Sequence, residues 1–313
     1  MSNLLFSYDF DINKAIESIV TINSYIPDNS FSSELLGNER SGHAVVIDDE
    51  GLLLTIGYVI TEAEYIWITV QGNHPVPGYI VGNDFESGLG LVKPIKPINL
   101  PKIEIGSLSN LNSGDKVILA DSAGTSKLVN SSILSIREFA GRWEYLLDNA
   151  IYTSPAHENW AGSALIGQDG LLYGIGCLLI QDVESENIIT SHNMYVPTDT
   201  ILPYINEIKE FGRRKKSPRP WLGMLVNAED TELVITGIFT ACPADKAGLQ
   251  LGDIITHVNQ DPVTTLRELF MGIWKLGDSG VVVPIRLIRD DKEYNVDVIS
   301  SDRDSSFMRG TVN

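Results

Sequence analysis

The sequence predicts a mainly β protein built from two domains. Short apolar segments alternate with turn residues over most of the chain, and a basic, proline-containing segment at 212–220 divides this pattern in two. Closely spaced short strands with turn signals between them are typical of β-sandwiches and β-barrels. At 313 residues the chain is long enough for each domain to bury a core of ordinary size.

The first domain is predicted at residues 14–211, after an N-terminal segment of 1–13. Its clearest strands are His43–Asp48, Tyr65–Val70, Lys116–Ala120 and Gly170–Ile175. The domain is expected to end in a helix over Thr198–Phe211, where apolar residues recur at helical spacing.

The second domain is predicted at residues 221–301, with a C-terminal tail of 302–313. It consists of further strands and one helix over Thr265–Trp274. Between the domains, the segment 212–220 holds five of the 23 cationic residues together with two prolines. This composition predicts a solvated interdomain linker.

Composition excludes several classes of function. The net charge of −18 and the pI near 4.6 oppose general binding to nucleic acid or to anionic membranes. The most apolar stretch, 170–180, is too short to span a bilayer. Two cysteines, Cys177 and Cys242, cannot form a disulfide framework, and the five histidines lack the spacing of a zinc site. We therefore expect no metal and no cofactor.

The start of the chain, Met1–Asp11, has neither a cationic stretch nor an apolar core with a small-residue cleavage site. We expect no signal peptide in the sequence as it stands. A cytoplasmic location fits this start, and so does a periplasmic one reached with a leader that has been removed.

The second domain resembles a PDZ module of the bacterial type. The resemblance lies in Pro243–Asn259 (PADKAGLQLGDIITHVN) and in Trp221–Met224 (WLGM). Such a loop directs backbone N–H groups at the C-terminal carboxylate of a peptide, and the strand after it adds the peptide as a further strand. On the predicted helix, Leu266 and Phe270 would line the pocket for the terminal side chain of the peptide. Burial of both residues in the core of the domain is the alternative. The peptide-binding residues that the resemblance implies are Trp221, Leu222, Gly223, Met224, Leu225, Val226, Leu266 and Phe270.

The first domain, followed by this module, resembles the HtrA/Deg family of trypsin-like serine proteases. The resemblance implies a trypsin-like double β-barrel and a role in protein quality control. It extends over residues 14–300 in blocks that keep their order. The blocks are Ser41–Thr55, Val81–Lys93, Ser113–Ala120, Asn159–Leu165 and Tyr195–Asp199.

Other residues occupy the three catalytic positions of that family. The general base is expected three residues after Thr55, where Tyr58 stands. The orienting carboxylate is expected where Gly88 stands, and the nucleophile belongs immediately before Gly162, where Ala161 stands. Tyrosine, with a pKa of about 10, is a poor proton acceptor, glycine cannot orient a base, and alanine cannot attack a carbonyl.

The oxyanion loop departs from the family as well, since Asn159 stands where the family has glycine. The sequence therefore predicts a pseudoprotease that binds peptides or unfolded protein C-termini, or that serves as a scaffold. A PDZ module that packs on the first domain with its groove filled is the rival interpretation of the second domain.

Two further hypotheses remain open. A serine endopeptidase with a relocated site would use Ser163, Ser154 and His157. The alternative is that these polar residues lie close in sequence only because they belong to a loop. A structural subunit would assemble with an active relative. Independently of catalysis, an open cleft in the first domain would bind an extended peptide along Gly174–Cys177, by analogy with the family.

Assembly is the last expectation that the resemblance carries. HtrA-type proteins are commonly trimers held by N-terminal aromatic residues, and here Phe6, Tyr8 and Phe10 alternate ahead of the first strand. Every second residue of an extended segment faces the same side. The three rings thus predict either a homo-trimer contact or packing on the barrel of the same subunit.

Overall fold

The structure, a computed structural model, describes residues 10–183, 189–230 and 232–307. The chain divides into two compact units. The first contains the described residues before 138 together with 148–215, and the second contains 138–147 and the described residues from 216 onward. The segment 138–147, which the sequence assigns to the first domain, thus belongs to the second unit.

The first unit is built on two closed, six-stranded antiparallel barrels. The strands of the first barrel are β1 (Ile19–Tyr25), β2 (Glu39–Val46), β3 (Leu53–Ile56), β4 (Tyr65–Thr69), β5 (Val76–Asp84) and β6 (Leu89–Pro94). Those of the second are β7 (Lys116–Ala120), β8 (Val129–Gly141), β9 (Tyr145–Ser154), β10 (Ala164–Gly167), β11 (Leu172–Val183) and β12 (Ile189–Pro197). Their orders are β1-β2-β3-β6-β5-β4 and β10-β11-β12-β9-β8-β7. The predicted mainly β fold with a trypsin-like double barrel is confirmed.

Alternation along the strands fills the barrels. On β7, Val117 and Leu119 are two apart and both buried, as strand periodicity requires of residues that face one core. They pack with one residue from each of the five other strands of the second barrel, which are Ile133, Ile151, Leu165, Tyr173 and Tyr195. Closure pairs each strand on both sides, so the barrels leave no open edge.

Three short helices accompany the first barrel: α1 (Ile12–Glu17), α2 (Ser33–Leu36) and α3 (Gly57–Ile60). Helix α3 follows β3 directly and carries Tyr58. The predicted helix over Thr198–Phe211 is shorter in the structure, where two 3₁₀ turns precede α4 (Ile205–Phe211). Pro203 explains the difference, because it lacks the N–H that a continuous α-helix would need there.

Of the three N-terminal aromatic residues, Phe6 and Tyr8 lie outside the described part of the chain. The ring of Phe10 packs on Gly170, since a Cβ added to that glycine would lie 2.7 Å from Phe10 Cγ. Phe10 therefore contacts its own chain, which is the second of the two expectations for these rings.

The predicted solvated linker is wrong for Arg214. Its guanidinium lies 2.6 Å from the carboxylate of Asp84 and 3.3 Å from that of Glu86. It also stacks over the ring of Tyr204, with 3.7 Å between Cζ and the ring centroid. Cationic composition predicts exposure, but here the cation finds two carboxylates and an aromatic face in the first unit.

The second unit contains one antiparallel sheet and three helices. The strands are β13 (Met224–Glu229), β14 (Glu232–Ile238), β15 (Ile254–Val258), β16 (Asp261–Pro262), β17 (Val282–Arg289) and β18 (Lys292–Ile299). The helices are α5 (Pro243–Lys246), α6 (Leu266–Trp274) and α7 (Arg303–Ser306). The sheet order is β13-β14-β15-β17-β18, with β16 on β15, so that β13 is an edge strand. Thr265 and Glu268 form a capping box that starts α6 where the sequence predicts a helix.

The predicted tail from residue 302 is part of this unit over its described length. Helix α7 is capped by Asp302, and Phe307 packs against Trp221 with 6.1 Å between the ring centroids. The two cysteines are buried and unpaired, as their separate positions in the sequence require. Among the described residues no helix is long and apolar enough to cross a membrane.

Candidate functional site

Tyr58, at the position of the general base, is fixed by hydrogen bonds to its own chain. Its hydroxyl donates to the carbonyl of Cys177 at 2.9 Å and is also hydrogen-bonded to the side chain of Trp160. Burial, and after it the neighbouring Cys177, raise the pKa of the phenol well above 10. Tyr58 is therefore a neutral donor at physiological pH.

Gly88, at the position of the orienting carboxylate, forms the turn between β5 and β6. Its N–H donates to the carbonyl of Asp84 at 2.7 Å, and its carbonyl accepts from the N–H of Gly57 at 2.7 Å. Its φ of +79° lies in the left-handed region, which favours glycine. The buried carboxylate of this turn, on Asp84, accepts hydrogen bonds from Ser87 and Arg214.

Ala161, at the position of the nucleophile, lies in a tight loop against β2. Its carbonyl accepts from the N–H of His43 at 2.8 Å, and the next residue, Gly162, donates to the carbonyl of Gly176 at 2.9 Å. Gly162 has a φ of +75°, and a Cβ added to it would lie 1.9 Å from the carbonyl oxygen of His43. The backbone contacts of a tight loop are thus present, while the side chain at its apex is a methyl group.

These contacts bring the three positions into one neighbourhood. Gly57, which binds Gly88, directly precedes Tyr58, and Tyr58 is bonded to Trp160, which directly precedes Ala161. None of the three side chains is an acid, a base with a pKa near neutrality, or a nucleophile.

The oxyanion loop uses its polar groups internally. The backbone N–H of Asn159 donates to Nδ1 of the buried His157 at 3.0 Å, and its side-chain amide donates to Asp121 at 2.7 Å. The second nitrogen of His157, Nε2, lies 2.9 Å from the carbonyl oxygen of Lys127. An oxyanion hole needs free N–H groups that point at the reacting carbonyl. The N–H of Asn159 is not free, because it already donates to His157.

The residues of the relocated-site hypothesis do not form a catalytic pair. Ser163 is fully buried, and its hydroxyl lies 3.0 Å from the carbonyl oxygen of Trp160 and 3.1 Å from the hydroxyl of Tyr195. Both ring nitrogens of His157 are bonded elsewhere. Ser154 is half-buried at the end of β9.

A polar pair that the sequence did not indicate lies beside this cleft. Ser122 Oγ is 3.1 Å from Nδ1 of His43 and 2.6 Å from the hydroxyl of Thr21. Burial, partly opposed by the charge of Asp121, lowers the pKa of the His43 imidazole. The carboxylate of Asp121 accepts from Ala123 and Asn159, so it is engaged elsewhere and does not orient the imidazole.

The strand segment predicted to bind an extended peptide in the first domain is largely paired. Gly174 and Ile175 pair with β10 and β12, and the N–H and carbonyl of Gly176 bind Ser163 and Gly162. The carbonyl of Cys177 accepts from Tyr58. Cys177 itself is buried, which raises the pKa of its thiol to about 12.

In the second unit, the PDZ-like loop binds a carboxylate that comes from the same chain. The N–H of Gly223 donates to Glu144 Oε1 at 2.7 Å, and the N–H of Met224 donates to the same oxygen at 3.3 Å. The N–H of Leu222 lies 3.2 and 3.1 Å from the two carboxylate oxygens. We call these three donors, Leu222–Met224, the carboxylate cradle.

Glu144 lies in the turn that joins β8 to β9. We call this turn together with the strand ends on either side of it, residues 138–147, the hairpin tip. A second contact aligns the tip with β13, because the N–H of Val226 donates to the carbonyl of Arg142 at 2.9 Å. Residues two apart on the tip thus meet residues two apart on β13, in antiparallel order. One backbone hydrogen bond thus joins the turn to the edge strand β13, beside the carboxylate that the cradle binds.

The carboxyl of Glu144 is only 6% exposed. Burial raises its pKa, while the three N–H donors and the positive charge of Arg303 act in the opposite direction. Burial also lowers the pKa of Arg303 to about 10, against the raising effect of Glu144. The cradle and Arg303 together supply the partners that a buried carboxylate needs.

Four other predicted peptide-binding residues have mixed placements. Trp221 is not a cradle donor, because its N–H binds the carbonyl of Ser301 and its ring packs on Phe239. Leu225 is buried on β13, Leu266 is half-buried, and Phe270 is fully buried with its ring stacked on that of Trp274.

Packing within the domain requires a glycine at residue 223. Its φ is +81°, and an added Cβ would lie 2.5 Å from Cβ of Cys242. The glycine is therefore required by packing within the domain, whether or not a peptide is bound. Among the described residues no group of histidine, cysteine and carboxylate side chains has the arrangement of a metal site.

Two barrels followed by a PDZ-like sheet define the class of trypsin-like serine protease homologues with a PDZ domain. Residues 220–299 match the family model described as PDZ domain. A probable periplasmic serine protease do/HhoA-like from Haemophilus influenzae is 27% identical over 278 residues, which cover 85% of this chain and 59% of the relative. The periplasmic serine endoprotease DegP of Escherichia coli is 25% identical over 269 residues, which cover 82% of this chain and 56% of DegP.

Solved structures show the same fold. The HtrA-type protease AlgW with decapeptide has a TM-score of 0.55 at 21% identity and covers 95% of this chain and 99% of its own. The serine endoprotease from Yersinia pestis has a TM-score of 0.53 at 22% identity, with 94% and 99% covered. The chain is a homologue of the HtrA/DegP-type serine proteases and carries a PDZ domain. It spans somewhat more than half of the length of the curated relatives that it matches.

Proposed function

We propose that this chain is a non-catalytic HtrA-like protein that acts through peptide binding by its PDZ domain. One observation carries the proposal: Tyr58, Gly88 and Ala161 occupy neighbouring positions in the cleft, and the hydroxyl of Tyr58 is fixed on the carbonyl of Cys177. A triad needs a base, an orienting group and a nucleophile in that place.

The surrounding contacts support the same proposal. The N–H of Asn159, which would stabilise an oxyanion, is bonded to His157. The buried carboxylates of Asp84 and Asp121 are engaged with Arg214 and Asn159 respectively. Neither Asp84 nor Asp121 is therefore available to replace the missing orienting carboxylate.

Peptide binding is proposed from the PDZ match and from the chemistry of the cradle. Three backbone donors already bind a carboxylate, and the N–H of Val226 on the edge strand β13 already donates to a backbone carbonyl outside the sheet, that of Arg142. Both are the interactions that an extended peptide with a free C-terminus makes. A decapeptide accompanies AlgW, a protein of the same fold, in its solved structure.

A second candidate function rests on the pair of Ser122 and His43. The Ser122 hydroxyl lies 3.1 Å from the His43 imidazole, which is the distance expected between a nucleophile and its general base. The pair lacks the orienting carboxylate, and the same hydroxyl is shared with Thr21. This hydrolase is the weaker candidate for those two reasons.

Hydrolysis of fluorescent casein by the full-length chain tests the proposal. We expect no cleavage above a buffer blank, and the same result for Ser122→Ala and Ser163→Ala. An active HtrA-type relative serves as the positive control. Cleavage that Ser122→Ala abolishes would replace the proposal by the second candidate.

A further inference from the structure

The PDZ groove of this chain is already filled by a segment that has the main contacts of a peptide ligand. The cradle binds the carboxylate of Glu144 through three successive N–H groups, and β13 binds the tip through Val226 and Arg142. We propose that the hairpin tip is a built-in competitor of the PDZ domain, and that a peptide with a free C-terminus binds only by displacing Glu144. This inference rests on the proposed peptide-binding function.

The backbone of the tip supports a dedicated role for Glu144. Its φ of +57° lies in the left-handed region, where a three-residue hairpin turn usually places glycine or asparagine. Glutamate is a poor choice for that conformation on local grounds. Its side chain, however, is long enough to reach the cradle, and this contact explains why a glutamate stands at residue 144 in place of glycine or asparagine.

The remaining contacts of the tip hold it in register without entering the cradle. Arg267 on α6 forms an ion pair with Glu138. Within the tip, Trp143 stacks on Tyr145 with 5.8 Å between the ring centroids, and Phe139 lies 6.0 Å from Trp143. These rings order the turn before it meets β13, which favours the bound state.

The magnitude of the competition follows from the covalent link. A ligand tethered through a short segment has an effective concentration of about 1 mM, and we take a dissociation constant on the order of 10 μM for a contact of this size. A free peptide of similar intrinsic affinity is therefore expected to bind the wild-type chain at least about 100-fold more weakly than a chain with the tip released.

The test uses the full-length chain and an array of synthetic decapeptides that end in Val, Leu, Ile or Phe. Each peptide is measured with a free and with an amidated terminus. We expect Glu144→Gln and Glu144→Ala to bind free-acid peptides about 100-fold more tightly than wild type, and amidated peptides not measurably. Glu138→Gln is the matched control, since it removes a carboxylate from the same tip outside the cradle. Its ion pair with Arg267 is exposed and contributes little, so its affinity should stay within about threefold of wild type.

Hydrogen exchange at the amides of Leu222–Met224 keeps the result independent of any one peptide. These amides should exchange slowly in wild type and in Glu138→Gln, and faster in Glu144→Ala, with protection restored by a bound peptide. Equal affinity of wild type and both Glu144 variants would overturn the proposal. So would fast-exchanging cradle amides in Glu144→Ala that no free-acid peptide protects. Neither result bears on catalysis, which the casein assay decides.

Discussion

The catalytic cleft and the PDZ groove are both occupied by the chain itself, but with different chemistry. In the cleft, Tyr58 bonds to Cys177, and the neighbouring positions carry no functional group. In the groove, the donors Leu222–Met224 remain and are bound to a carboxylate. An occupant that satisfies intact donors can be exchanged for another carboxylate, whereas a cleft without a nucleophile or base has no chemistry to recover. The two proposals thus differ in kind, since catalysis is proposed to be lost and peptide binding is proposed to be covered.

The largest expected effect concerns restoring the triad. Loss of the triad in subtilisin lowers the rate by about 10⁶-fold, so a true restoration would be unmistakable. We expect Ala161→Ser alone to leave casein uncleaved, because no base is present to accept its proton. The triple variant with Tyr58→His and Gly88→Asp should remain far below an active relative, since the N–H of Asn159 is bonded to His157 and aspartate at residue 88 would occupy a left-handed φ.

Rapid cleavage by Ala161→Ser alone would show that a base exists in the cleft and would break the comparison. The added variant His43→Ala in that background would then tell whether His43 supplies it. Circular dichroism on each variant separates a failed restoration from a failed fold.

The loop at Ala161 should be intolerant of added volume. Gly162→Ala would place a methyl group 1.9 Å from the carbonyl oxygen of His43 at a φ of +75°. We expect a loss of at least about 3 kcal/mol in the free energy of unfolding, from clash and backbone strain together. Gly51→Ala is the matched control, with a φ of +77° and open space around it, and should lose only about 1 kcal/mol. Urea denaturation measures both. Equal losses would mean that the loop relaxes easily.

Removing the hydroxyl of Tyr58 should have a moderate effect on stability. Tyr58→Phe leaves the carbonyl of Cys177 without its donor in a buried place, and we expect a loss of about 1–3 kcal/mol. Tyr25→Phe, at an exposed tyrosine, should change stability by less than about 0.5 kcal/mol. A Tyr58→Phe variant as stable as wild type would indicate that water replaces the hydroxyl and that the cleft is open to solvent.

The smallest expected effect concerns the N-terminal rings. Because Phe10 packs on Gly170 of its own chain, Phe10→Ala should lose about 1 kcal/mol of stability and keep the molar mass of wild type in light scattering. Phe211→Ala, at an exposed ring, is the comparison variant. A trimer in wild type that becomes a monomer in Phe10→Ala would assign the ring to subunit contact and restore the first expectation.

Much of the fold was predictable because local patterns determine it. Lys116–Ala120 is a strand at the predicted residues, and the helix predicted from Thr265 begins where that residue caps it. The sequence also shows the blocks around Tyr58, Gly88 and Ala161 in the order of the family, and the proposed loss of the triad depends on that order.

The occupant of the PDZ groove was not predictable in the same way. Glu144 lies 78 residues before Leu222, and no local motif marks a glutamate in a hairpin turn as a ligand. Its signal is an unfavourable one, a long acidic side chain at a turn position that prefers glycine. Arg214 is a second example. The basic composition of the segment 212–220 predicts solvent exposure, but the partners of Arg214, Asp84 and Glu86, come from a turn that is distant in sequence.

The central claim is that the cleft has lost its catalytic groups, and covalent labelling tests it most directly. The full-length wild-type chain is incubated with a fluorophosphonate, and its intact mass is measured, with an active HtrA-type relative treated in parallel. The account predicts an unchanged mass for this chain and a single adduct on the relative. An adduct on this chain that maps to Ser122, Ser163 or any other single serine would contradict it.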